Sequence, residues 1–220
     1  MEKNAPIIFD KNTVEFVTVA AECCGFLEKV SQVSRRKFVD TALKLLPLLY
    51  LKASLLPQGE RMDEDDLEAF VTEGDYERVR AGVAALLREH DDYLDVFVKD
   101  MAYSDTPICQ TVSENLADIY QSLKDFVCIY RLGLDRTMND ALLACEEQFR
   151  EFWGQRLLNA MRALHDVKYG TGESADEEDE EEVAWTDPDD AALYEGLEAG
   201  DDDDETREAG TDDGEGDRWE

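Results

Sequence analysis

Between Thr171 and Glu220 the chain carries twenty-four acidic residues against two basic ones, Arg207 and Arg218. Glu177 to Glu182 and Asp201 to Glu205 are uninterrupted acidic runs, and the apolar side chains around them, Val183, Trp185, Leu193, Tyr194, Leu197 and Trp219, are few and scattered. Burying so little apolar surface does not offset the entropy of ordering the chain, so this segment reads as a disordered acidic tail. It holds −22 of the formal net charge of −32, leaving −10 on residues 1 to 170, from thirty acids and twenty bases. The sequence therefore divides into a folded domain over 1–170 and a tail over 171–220. Within the tail, Val183 to Leu197 brackets Pro188 with aromatic and aliphatic residues and is the part able to fold on a partner.

The first part has the periodicity of helices. From Asn12 or Thr13, the residues Phe16, Val17, Ala20, Cys23, Cys24, Leu27 and Val30 recur at three- and four-residue steps, one helical face. Ser34 is placed to cap a second helix carrying Phe38, Val39, Ala42, Leu45, Leu46 and Leu49, which Pro47 is expected to kink or split and Pro57-Gln58-Gly59 to close. A short helix is expected from Asp63, with acids in its first turn, Leu67, Phe70 and Val71 on its apolar face, and Gly74 as its stop. Val79, Val83, Leu86 and Leu87 indicate a further helix to about His90. Asp91 to Pro107 fits either an extended stretch or a short helix. Ser113 opens the clearest amphipathic stripe, Leu116, Ile119, Tyr120, Leu123, Phe126, Val127 and Tyr130, which Gly133 ends. A last helix, Thr137 to about Val167, carries Ala141, Leu142, Cys145, Phe149, Phe152, Trp153, Leu157, Ala160, Met161 and Leu164 on one side and would run roughly 45 Å. With no convincing strand, no hairpin signal and no internal repeat, the fold class is all-α, an antiparallel bundle-like domain followed by the tail.

Charge and composition also limit the partners. A chain this anionic repels phosphate backbones and anionic headgroups, so direct binding to nucleic acid or to a membrane is not expected. The apolar cluster near the start, Ile7, Ile8 and Phe9, is far short of an export signal, and Leu43 to Leu56 is too short and too interrupted to span a bilayer. Five cysteines, Cys23, Cys24, Cys109, Cys128 and Cys145, form no C-x-x-C pair and read as reduced thiols in a cytoplasmic protein.

The chemistry-bearing residues cluster on the last two helices. Glu114, Asp118, Gln121 and Asp125 step by four, three and four along a polar stripe beside the apolar one. Antiparallel packing about a turn near Arg136 sets Asp118 level with Arg156, a pairing suited to holding the register of two helices or, on the rival reading, to lining a pocket. The dipeptides His90-Asp91 and His165-Asp166 carry the only two histidines and invite comparison with metal phosphohydrolases, which need further His and Asp ligands from other helices. His165 reads instead as a helix-terminal cation near a C-terminal dipole. Glu146, Glu147 and Glu151 are spaced EExxxE, with no second acidic motif to match. No phosphate loop, nucleophile elbow or Cys-His constellation is present, so no catalytic, metal-ligating or cofactor-binding residue is assigned.

The phrases TVEFVTVAAE from Thr13 to Glu22, LKLLPLLYLK from Leu43 to Lys52, SENLADIYQ from Ser113 to Gln121, WGQRL from Trp153 to Leu157 and RALH from Arg162 to His165 resemble the family catalogued as domain of unknown function 5063, found in Bacteroidetes-type bacteria. The similarity covers most of residues 10 to 168 and omits the tail. It implies a small cytoplasmic all-α protein, supplies no catalytic residue, and places Asp118, Tyr120, Trp153, Arg156 and His165 within its shared phrases. The expected function is a non-enzymatic protein-interaction or adaptor module whose polyanionic tail engages an unknown, basic protein partner or keeps the domain in solution. The alternative is a divalent-cation-dependent hydrolase of a phosphorylated small molecule using Glu114, Asp118, Asp125 or the His-Asp pairs.

Overall fold

Asp10 starts the first helix by accepting the backbone N–H of Asn12 at 2.8 Å, and α1 runs Lys11–Glu28 with Phe16, Ala20, Cys23, Cys24 and Leu27 buried along one face. Ser34 caps α2, Arg35–Ser54, by accepting from the Lys37 amide. This helix is not split at Pro47. Leu46 and Leu49 on either side are buried, and that packing carries the helix past the missing amide donor. The computed structural model describes residues 6–63, 66–95 and 108–170, all within one compact unit, Met1–Ser174. The segment read as a disordered tail, including the second unit, Ala175–Glu220, lies outside the described residues.

The helix expected from Asp63 does not form among the described residues. The described residues 57–63 and 66–72 run irregularly, and four of their amides are taken by carboxylates of other elements. Met62 and Asp63 donate to Asp140 at 2.7 and 2.8 Å, and Phe70 and Val71 both donate to Asp125 Oδ1, at 2.6 and 2.8 Å. Nor does Gly74 stop a helix: it lies in the first turn of α3, Glu73–Leu87, which opens on a reciprocal capping box between Thr72 and Asp75.

A two-stranded antiparallel ladder follows where no strand was convincing in the sequence. Asp92–Asp95 (β1) pairs with Ile108–Thr111 (β2) in the register Asp92 to Thr111, Tyr93 to Gln110, Leu94 to Cys109 and Asp95 to Ile108. Strands of four residues with Leu94 and Ile108 exposed carry no readable alternation. Buried Asp91 anchors the ladder: its carbonyl accepts from Val112, and its carboxylate accepts from the Ser113 amide at 2.7 Å and hydroxyl at 2.6 Å. Ser113 is thus a buried residue of the first turn. The N-cap of α4, Val112–Arg131, is Thr111.

The stripe of α4 forms the centre of the core, with Leu116, Ile119, Tyr120, Leu123, Phe126 and Val127 all buried between α1, α3 and the last helices. Gly133, at a φ of 72°, turns the chain. The last helix is not uniform. It comprises α5, Asp135–Gln148, a π-helical turn over Phe149–Trp153, and α6, Gly154–Tyr169. Gly154 donates its amide to the Phe149 carbonyl, and a Cβ there would meet that oxygen at 2.4 Å, so the turn requires glycine. Across the wide turn Phe149 and Trp153 both stay buried, while Phe152, expected on the apolar side, is rotated outward to 42% exposure. The fold is therefore all-α apart from the short ladder, and no described helix is long and apolar enough to cross a membrane.

Candidate functional site

The polar residues of α4 and α6 meet across the helix interface. Arg156 Nη1 lies 3.0 Å from Asp118 Oδ2, the pair that counting from the turn sets level, and donates to Asn115 Oδ1 at 3.1 Å. The guanidinium lies 4.4 Å over the Phe152 ring, so the outward rotation imposed by the π turn supplies its stacking partner. Tyr76 of α3 donates its hydroxyl to Asp118 Oδ1 at 3.1 Å, and Asn115 donates its amide to the Tyr93 hydroxyl of β1. One arginine and one carboxylate thus join α3, β1, α4 and α6. Burial pushes the Asp118 carboxyl above its ordinary range despite the opposing charge of Arg156 and the Tyr76 hydrogen bond. Burial together with the Asp118 charge pushes the Tyr76 hydroxyl up to about 12.

The network separates two hollows. Asp118, Gln121, Asp125, Cys145 and Phe152, with Leu67 from the irregular segment, line one of about 490 Å³ between α4 and α5. Tyr93, Asp95, Asn159, Arg162 and His165 line one of about 360 Å³ beside the ladder. Of the eight residues singled out in the sequence, Asp118 and Arg156 are paired, and Gln121 and Asp125 share the first hollow with Asp118. Glu114 is exposed on the first turn of α4, where its charge helps to raise Asp118. Tyr120 belongs to a different cluster, donating to Glu28 Oε1 at 2.9 Å beside Lys124 at 2.6 Å. Burial opposes ionisation of Glu28, but the Lys124 and Tyr120 hydrogen bonds outweigh it and hold that carboxyl below its ordinary range. Trp153 is wholly buried and donates Nε1 to the Cys145 carbonyl at 3.3 Å. His165 is exposed, its ring 4.7 Å from that of Tyr169 and one turn before the end of α6.

Sequence reasoning missed Tyr76, Tyr93, Asn115 and Asp140, and noted Asp91 only as half of a His-Asp dipeptide, not as the acceptor of Ser113. Asn115 alone carried a local signal: it stands four residues before Ile119, a polar side chain on the apolar stripe. Three of the hydrolase candidates are engaged by protein donors, Asp118 by Arg156 and Tyr76, Asp125 by two amides and Asp91 by Ser113, while Glu114, His165 and Asp166 are exposed. Among the described residues no three His, Cys, Asp or Glu side chains gather as a cation site. Cys23, Cys24 and Cys145 are buried thiols without disulfides, and burial pushes Cys23 up to about 12.

No protein of curated function matches the chain. Among solved structures, the crystal structure of protein BF1032 from Bacteroides fragilis is 53% identical, with 74% of this chain and 96% of that chain covered and a TM-score of 0.67. The family described as Domain of unknown function (DUF5063) matches residues 7–170, which takes in the π turn, the ladder and the Asp118–Arg156 network. The chain belongs to the Domain of unknown function (DUF5063) family.

Proposed function

We propose that this protein is a non-enzymatic interaction module of the cytoplasm, an adaptor that docks a protein partner on α2, with the acidic tail as a separable polyanion. The observation that carries this is the outer face of α2. Leu48 and Leu51, with Leu55 at the C-cap, spaced i, i+3 and i+7, are 41%, 51% and 46% exposed along a helix carrying five bases against one acid. A row of leucines held in water is costly unless something covers it, and such patches mark interaction surfaces. On the neighbouring helix α6, Leu158 at 41% and Tyr169 at 59% exposure line a separate hollow with Leu43 of α2. The polar network supports the same reading, since its carboxylates are occupied in joining four elements.

The test pairs a surface variant with a turnover assay. Leu51→Glu/Leu55→Glu is expected to abolish co-purification of a bound protein from native extract while the melting temperature stays unchanged. Full-length protein with Mg²⁺ or Mn²⁺ is expected to release no phosphate from phosphorylated small molecules above the blank. Metal-dependent turnover that Asp118→Asn abolishes and the leucine variant spares would establish the hydrolase instead.

A further inference from the structure

Alongside the exposed leucines, α1 and α2 enclose a groove of about 510 Å³. Its lining includes Gly25 and Phe26 from α1, Lys29 at the C-cap of α1, and Lys44, Leu45 and Leu48 from α2, with Glu22 as its one acid. The floor is packed: the Phe26 ring stacks on that of buried Phe38 at 5.0 Å and 12°. The middle is open, because a Cβ built on Gly25 finds no atom within 4 Å. Lys29 and Lys44 flank it; neither is in an ion-pair contact with a described residue, and the Lys44 charge reaches Asp40, one turn back on α2. Two lysines against one acid, beside an apolar floor and along the most basic described helix, favour an anionic partner with an apolar stripe over a cationic one. The lining spans Glu22 to Lys29 and Thr41 to Leu48, two turns of each helix or roughly 10 Å at 1.5 Å per residue.

Resting on the interaction-module reading, we infer that the α1–α2 groove binds an acidic amphipathic helix of a partner protein. Apolar side chains at i, i+3 or i+4, and i+7 of that helix lie on Phe26, Leu45 and Leu48, and its carboxylates meet Lys29 and Lys44. The small residue at the centre, Gly25, lets the incoming helix approach closely.

The experiment is a fluorescence-anisotropy titration of the full chain against a labelled synthetic helix bearing leucines at those spacings and flanking glutamates. Its controls are a scrambled peptide, a peptide with lysine for every glutamate, a peptide of residues 183–197, and anionic phospholipid vesicles. Saturable binding is expected for the acidic helix alone, weakening as salt rises. An added Cβ at Gly25 meets no atom and leucine is the better helix former, so Gly25→Leu, with its fold checked by circular dichroism, is expected to obstruct the groove and weaken binding by roughly tenfold or more. Lys29→Glu/Lys44→Glu weakens binding and flattens its salt dependence. Equal binding of the scrambled peptide, or no effect of Gly25→Leu, overturns the inference. So does tighter binding of the 183–197 peptide, which assigns the groove to this chain itself, or of vesicles with the same Gly25→Leu sensitivity, which assigns it to a membrane. If Leu51→Glu/Leu55→Glu removes the native partner while Gly25→Leu does not, the interaction module stands and the groove assignment falls. If neither variant acts, both fall.

Discussion

Removing Asp118 and Arg156 singly and together measures whether their contact holds α4 against α6. Neither side chain is sealed in, at 18% and 31% exposure, so the pair lies between the ~0.2–1 kcal/mol of an open surface pair and the roughly 3–5 kcal/mol lost when a buried pair is broken. Asp118→Ala takes the acceptor from Tyr76 and the charged partner from Arg156, which keeps Asn115, so a loss of about 2 kcal/mol is expected. Arg156→Ala also ends the stacking on Phe152, adding about 0.5 kcal/mol to a similar loss. A charge-assisted hydrogen bond at 3.0 Å, discounted for its solvent exposure, gives a coupling of about 1 kcal/mol in the double-mutant cycle. Asp118→Asn keeps an acceptor for Tyr76 and removes a charge that burial disfavours, so it should cost less than Asp118→Ala. Urea denaturation followed by far-UV circular dichroism reads all four variants. A coupling within experimental error of zero would show that the contact does not hold the register, and the network would lose its structural role.

Gly154→Ala brings a methyl against the Phe149 carbonyl and should destabilise by about 1–3 kcal/mol, with altered near-UV dichroism from the Trp153 environment; a neutral result would mean the π turn does not depend on glycine. Asp140→Ala frees the Met62 and Asp63 amides, so hydrogen exchange there should accelerate while the centre of α4 stays protected, and unchanged exchange would contradict the carboxylate clamp. The Thr72 and Arg78 hydrogen bonds hold Asp75 down to about 2, from an ordinary 3.8. Because the folded pKa is the lower one, its stabilisation is complete above 3.8 and lost as pH falls toward 2. The stability difference between the parent and Asp75→Asn should therefore shrink over that window; a constant difference in urea titrations would refute the assignment.

Much of the fold was legible because a helix signals itself within a few residues. The α4 stripe, the Ser34 cap and the Gly133 stop stand where their local chemistry places them. Asp118 and Arg156 were legible at one remove, since a tight turn between antiparallel helices converts sequence distance into height along the bundle. The segment at Asp63 was not. Its acids and apolar spacing favour a helix locally, yet Asp125 and Asp140, far along the chain, offer its amides carboxylates in place of helical carbonyls.

By itself, the sequence determined the helical periodicity, the capping chemistry and the concentration of acid after residue 170, all set by neighbours in the chain. Tertiary structure decided which polar groups meet. Tyr76, Tyr93 and Asn115 converge on one ion pair, Asp91 closes a ladder onto α4, and a π turn rotates Phe152 beneath Arg156. The reason is physical: the backbone period is local, whereas a buried polar group takes its partner from whatever the folded chain brings within hydrogen-bonding distance.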